Sequence, residues 1–249
     1  MGLHRLIETH SDLAQRCATA ADLFAVTRDA AQEIGFEKLA LVHNLWFRCP
    51  GGGLIRMDNF GEWGEIFIAR KYYLIDPVLL ACQRTNTAFS WLELAGLLPR
   101  ITPEQCALFS EAARHRLRIG FSLPVGVMGE PVGCCSFAID APELPSRKRC
   151  RATAMIAAEA FREARRLHGF PARAAQIPHL SPRRHEVLQL VALGKSDPEI
   201  AIILGIGEPT VRSYMTDLRR LFDVYSRTQL ATAALRFGLV AFEDAIPAS

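Results

Sequence analysis

Residues 180–237 read LSPRRHEVLQLVALGKSDPEIAIILGIGEPTVRSYMTDLRRLFDVYSRTQLATAALRF. Ser181 can cap a helix whose first-turn residue is Pro182, and Leu188, Val191 and Ala192 supply its buried stripe. Gly194 ends that helix. A second helix is expected from about Asp197 to Leu204, Gly205 and Gly207 form a turn, a third helix runs from about Glu208 to Phe222, and a fourth from about Ser226 to Phe237. Four short helices with a tight turn between the second and third make a helix-turn-helix layout.

The third helix has two distinct faces. Val211, Met215, Leu218 and Phe222 recur at spacings of four, three and four, which places them against a core. Arg212, Thr216, Arg219 and Arg220 fall elsewhere on the cylinder. Arginine can bond two acceptors on a guanine edge, so this face suits a major groove.

Upstream, HGFPARAAQIP (168–178) has two prolines, a glycine and no clear periodicity, and it reads as a linker. The segment before it mixes helices and strands. Residues 11–35 read as one helix with Leu13, Cys17, Ala20, Ala21, Phe24 and Ile34 on its apolar face. Residues 37–47 favour a strand, the Gly51–Gly53 triplet a turn, and residues 54–58 a second strand. Helices are expected over 62–71, 77–84 and 103–116. Phe121–Val127 and Val132–Ala138 are apolar strands joined by Met128-Gly129-Glu130-Pro131. An alanine-rich helix occupies about Ser146–Leu167, small enough on one side to approach the sheet or a partner subunit closely. Strands that pair as hairpins with helices on their faces imply an α+β protein: an N-terminal α-β-α sandwich with an antiparallel sheet, followed by an all-α four-helix domain.

Composition narrows the classes. The chain has 249 residues, half of them hydrophobic, so a sizeable core is expected and disorder is not. A net charge of +3 leaves any nucleic-acid binding to a local patch. The seven cysteines are odd in number and lack metal spacing, so reduced thiols are expected and no metal site. Cys134 and Cys135 should point to opposite faces of a strand. No run is apolar enough to cross a membrane and the first residues are too polar for a signal peptide, so a cytoplasmic protein is expected. No Gly-x-Ser-x-Gly elbow marks a hydrolase, and Asp12, Asp22 and Asp29 lie in a helical stretch rather than at the ends of strands, which argues against a phosphorylated receiver. No catalytic residue is assigned. The clusters Arg114–Arg118 and Arg147–Arg151 read as solvated helix ends.

The pieces Leu180-Ser181 with Arg183, Gly194-Lys195-Ser196, Glu199-Ile200-Ala201, Thr210-Val211, and Val224 with Arg227 resemble the DNA-binding domain of LuxR-type transcription regulators, over about Leu180 to Leu239. The resemblance implies DNA contacts from Lys195, Thr210, Arg212, Ser213, Tyr214, Thr216, Arg219 and Arg220. Two positions depart: the family usually has glutamate at Arg184 and often histidine at Tyr214. Residues 63–91, WGEIFIARKYYLIDPVLLACQRTNTAFSW, resemble the autoinducer-binding domain of the quorum-sensing branch, with Trp63, Asp76-Pro77, Trp91 and Gly120 at its characteristic positions. That resemblance implies a small-molecule signal, an N-acyl- or aryl-homoserine lactone. Trp63 would donate to the lactone carbonyl, Asp76 would accept from the ligand amide, Trp91 would pack on the lactone ring and Ser136 would bond the acyl carbonyl, with Phe60, Phe67 and Val78 lining the pocket. Phe67 stands where tyrosine is common, Phe60 or Asn59 near another tyrosine position, and Arg116 where glycine is frequent.

The expected whole is a signal-responsive regulator that binds a palindromic operator as a homodimer, organised as residues 1–168, a linker at 169–179, and residues 180–249. The helices at 146–167 and 226–237 are its candidate interfaces. The alternative reading is an orphan regulator of the same family that answers a non-lactone signal or binds DNA without a ligand.

Overall fold

In the strands, side chains alternate between two different environments, and this alternation builds the first half of the molecule. The computed structural model describes residues 2–43, 55–127, 130–170 and 178–241. Strands β1 (Lys38–His43), β2 (Ile55–Asp58), β3 (Phe89–Ser90), β4 (Ile119–Val125) and β5 (Gly133–Ile139) form one antiparallel sheet in the order β2-β1-β5-β4-β3. Leu39, Leu41, Ile55, Met57, Ile119, Phe121, Cys135, Phe137 and Ile139 point to one face. There they meet α1 (Leu3–Arg16), α2 (Ala20–Ile34) and α7 (Arg147–Leu167). Cys134 joins a second cluster on the opposite face, so the adjacent pair does split across the sheet. That second face is covered by α3 (Glu62–Ala69), α4 (Pro77–Cys82), α5 (Leu94–Leu97) and α6 (Pro103–Arg114), with 3-10 turns at Tyr72–Leu74 and Trp91–Glu93. Helices on both faces of an antiparallel sheet make the α-β-α sandwich.

Several expectations are corrected. The stretch 11–35 is two helices, not one. Thr19 caps α2 through a reciprocal box with Asp22, and the break resets the helical phase. Leu13 and Ala21 are therefore exposed, while Ala14 and Leu23 are buried. The short strand β3 escaped the sequence pattern because two residues carry no periodicity. The helix beginning at Pro77 stops at Cys82 rather than near residue 84. The helix from Pro103 stops at Arg114, and Arg116 sits at φ +66°, the left-handed region where a glycine is relaxed. The β4–β5 hairpin is shifted by about two residues from its expected bounds at the β4 end. In α7, Ala152, Ala157, Ala160 and Ala164 are buried against elements of their own chain, while Met155 and Ala158 of the same helix are exposed. The Gly51–Gly53 turn, residues 44–47, Met128-Gly129, most of the linker and Cys49 lie outside the described residues.

The chain divides into two compact units, and all but three residues of the second lie at or beyond residue 173. In the second, α8 (Pro182–Ala192), α9 (Asp197–Leu204), α10 (Glu208–Leu221) and α11 (Arg227–Arg236) surround Val187, Leu188, Val191, Ile200, Val211, Met215, Leu218 and Leu230. Ala192, expected in the stripe, is only partly buried; Val187 takes its place. The local chemistry fixes each start. Ser181 accepts from the Arg184 backbone N–H, while Ser196 with Glu199 and Ser226 with Gln229 form capping boxes. Gly205 closes α9 at φ +65°, which supplies the tight turn.

Candidate functional site

The sheet face that carries Cys134 also carries a polar row. Cross-strand register aligns Ser122 with Ser136, Ser136 with Ala40, and Ala40 with Asp58. Residues opposed in this way share a face. The next row aligns Cys134 with Val42 and Val42 with Arg56. Above these rows lies a cavity of about 80 Å³, lined mostly by apolar side chains. Trp63, Phe67, Asp76, Val78, Trp91, Ser136 and Phe60 all line it, so the structure brings together residues from α3, α4, β5 and two loops that lie far apart in the chain. Leu108 and Ala112 of α6 complete the roof. Sequence reading passed these two over, although their spacing of four marks one helix face.

Each polar group is held by identifiable partners. The Trp91 indole N–H donates to Ser122 Oγ at 2.9 Å, and Ser122 Oγ lies 2.8 Å from Ser136 Oγ. The indole lies flat over Gly120; a Cβ there would sit 2.3 Å from the ring, so only glycine admits it. Ser136 Oγ is also 3.2 Å from Cys134 Sγ, and the Cys82 thiol contacts Cys134 Sγ at 3.3 Å. Ser122 was missed by sequence reading because its role depends on which residue of β5 it opposes.

Asp76 has two functions. Its Oδ1 accepts from the Val78 backbone N–H at 2.9 Å, capping α4, and its carboxyl also lines the cavity. Burial pushes this carboxyl up to about 7, against the opposing pull of the Val78 and Leu79 backbone N–H groups. Gln105 of α6 secures the preceding turn by donating to Ile75 O at 2.8 Å. Trp63 is buried and packs on Phe67, Tyr72 and His115 with ring centroids 6.2, 5.8 and 5.6 Å away.

The second unit presents its polar face outward. Thr210, Arg212, Ser213, Thr216 and Arg220 are exposed; Lys195, Tyr214 and Arg219 are half-buried. Arg212 pairs with Glu208 one turn earlier at 3.1 Å, and Arg219 Nε donates to Met215 O at 3.2 Å. Arg184, the departure from glutamate, bonds Asp217 of α10 at 2.7 Å and so ties α8 to the basic helix. The Arg227 guanidinium bonds Asp197 at 2.6 Å and also the Lys195 carbonyl, fastening α11 to the start of α9.

A ligand chamber in one unit and a basic helix-turn-helix face in the other define a signal-responsive DNA-binding regulator. The comparisons with known proteins specify which kind. Residues 19–164 match the autoinducer binding domain, and residues 178–234 match bacterial regulatory proteins of the luxR family. The chain belongs to the LuxR family of quorum-sensing transcription regulators. It is similar to the transcriptional activator protein TraR of Agrobacterium vitis, 23% identical over 85% of this chain and 89% of that one. It is also similar to the quorum-sensing regulator RhlR of Pseudomonas aeruginosa, 26% identical over 88% and 89%. A crystal structure of Escherichia coli SdiA shares the fold at 24% identity and TM-score 0.60, covering 96% of this chain and 99% of that one. These relatives are regulators rather than enzymes. Among the described residues no helix is long and apolar enough to cross a membrane, and no cluster of histidine, cysteine, aspartate or glutamate is placed to hold a metal.

Proposed function

We propose that this regulator senses a homoserine lactone carrying an acyl or aryl tail, and that it binds a palindromic operator as a cytoplasmic homodimer. Residues 1–168 form the sensing part and residues 180–249 the DNA-binding part, joined by a linker at 169–179. No step of covalent chemistry is assigned.

The observation that carries the ligand reading is the convergence of Trp63, Asp76, Trp91 and Ser136 on one apolar cavity. An indole N–H is a donor only, so Ser122 must accept from Trp91. The Ser122 proton is then free for Ser136, and the Ser136 proton for an acyl carbonyl. Trp91 has already committed its N–H to Ser122, so it offers a lactone ring only its apolar surface. Trp63 donates to the lactone carbonyl, and Asp76 accepts from the amide N–H. A dry pocket that left this amide unpaired would cost about 1–3 kcal/mol. Phe60, Phe67 and Val78 contribute apolar wall. Arg212, Ser213 and Thr216 face base edges, while Lys195, Thr210, Tyr214, Arg219 and Arg220 face phosphates. Two copies match the twofold symmetry of a palindrome.

Bound ligand stabilises the folded first unit by mass action. Thermal unfolding of the purified protein with a panel of acyl- and aryl-homoserine lactones is expected to show a concentration-dependent rise in Tm for at least one of them. No rise with any member rejects the lactone assignment and favours the orphan reading.

A further inference from the structure

Besides Asp76, the cavity has a pair of oppositely charged side chains in its wall, and the sheet register says where they lie. Asp58 stands in the same row as Ser136, two strands away across Ala40. Strand spacing of ~4.8 Å puts it about 10 Å from Ser136. Arg56 lies in the adjacent row beside Val42, on the same face. Both residues line the cavity. Between the two ends, Ala40 contributes only a methyl group, which leaves a trough across the sheet.

The pair is built rather than loose. Arg56 Nε donates to Asp58 Oδ2 at 2.7 Å, and Arg56 Nη2 donates to Glu65 Oε1 at 2.8 Å. Asp58 Oδ1 accepts from the Phe60 backbone N–H at 3.2 Å. Gly64 of α3 makes room for it, since a Cβ there would sit 2.9 Å from Arg56 Nη2 and 3.0 Å from Asp58 Oδ1. A hydrocarbon tail reaching this wall would strip water from a charged pair and return no hydrogen bond. A hydroxyl at the same place accepts from the guanidinium and donates to the carboxylate.

We propose that the Arg56–Asp58 pair is a specificity-determining end of the cavity, and that it takes a hydroxyl group carried at the far end of the ligand's acyl or aryl tail. This rests on the lactone reading above, in which the acyl carbonyl sits at Ser136.

The test measures dissociation constants of the full chain for matched homoserine lactones. Each pair shares one tail, aliphatic in short, medium and long forms or aryl, and differs only in a terminal hydroxyl. The wild-type protein is expected to favour the hydroxylated member by on the order of tenfold or more at the tail length that spans the trough. The double variant Arg56→Gln, Asp58→Asn removes both charges together, so neither is left uncompensated, and it is expected to erase the preference while still binding the plain tail. If it does not fold, Gly64→Ala, which presses on the same two side chains, is expected to shrink the preference. Plain tails that bind as tightly as hydroxylated ones at every length overturn the proposal and leave the lactone reading standing. So does a preference that survives unchanged in the variants. If no lactone of either series binds, the lactone reading falls and the proposal with it.

Discussion

The two units solve recognition in opposite ways. The first assembles an inward-facing site from side chains scattered between Ala40 and Ser136, and several of them also hold the fold together. Trp63 is core, Asp76 is a helix cap, and Trp91 with Ser122 joins the β3–α5 region to the sheet. The second unit keeps the two tasks apart along one helix. Val211, Met215 and Leu218 of α10 make the core, while Arg212, Ser213, Thr216 and Arg220 stay in solvent. A binding residue in the first unit should therefore be costly to change for the fold itself, and one in the second should not.

Trp63→Ala tests that contrast most strongly. Removing a buried indole is expected to destabilise the first unit by about 3–5 kcal/mol. Calorimetry should show its transition fall while that of the second unit stays put; equal shifts of both would erase the distinction.

Arg212→Ala is the counterpart. It should leave thermal stability within about 0.5 kcal/mol, since the residue is exposed and its ion pair with Glu208 is a surface one. Its effect belongs to DNA: a loss of about 1–3 kcal/mol on the specific operator, with relaxed sequence preference. Arg220→Ala should weaken specific and random DNA alike. Titrations against both DNAs separate the two, and a uniform loss for Arg212→Ala removes it from base reading.

Asp76 sharpens the comparison through pH. In the unfolded chain an aspartate loses its proton near 4, whereas buried Asp76 keeps it up to about 7. Between those values the folded state binds a proton that the unfolded state has released. Stability of the ligand-free first unit should therefore fall as pH rises from about 4 to about 7, and this contribution should be flat above that. Asp76→Asn stays neutral throughout, so the gap between variant and wild type should widen in the variant's favour over that window. Unfolding measured at closely spaced pH values checks it, and parallel curves would mean that Asp76 titrates normally.

The smallest effect is expected at Arg184. Its bond to Asp217 is partly exposed, so Arg184→Ala should lower the second unit's stability by no more than about 1 kcal/mol. A larger drop in denaturant midpoint would mean that this contact organises the basic helix.

The second unit was the more legible of the two from sequence. Its caps, Gly205, and the four-three-four spacing of α10 are short-range signals, and the observed helix bounds lie within a residue or two of those expected. In the first unit, Pro77 and the glycines were readable, but the break at Thr19 was not, because apolar residues happen to continue the helical period across it. Leu108, Ala112, Ser122, Arg56 and Asp58 were not singled out either. Nothing local distinguishes them from ordinary core or surface positions.

By itself the sequence determined where most helices start, which strand residues alternate, and which side chains on α10 are basic, since these follow from capping, backbone sterics and periodicity over a few residues. Only the tertiary structure decided that Ser122, Ser136, Ala40 and Asp58 fall in one row, that Trp91 lies over Gly120, and that a cavity remains above them. Strand register sets those relations, and register is a property of pairings between segments far apart in the chain, where a slip of one residue turns every side chain to the other face.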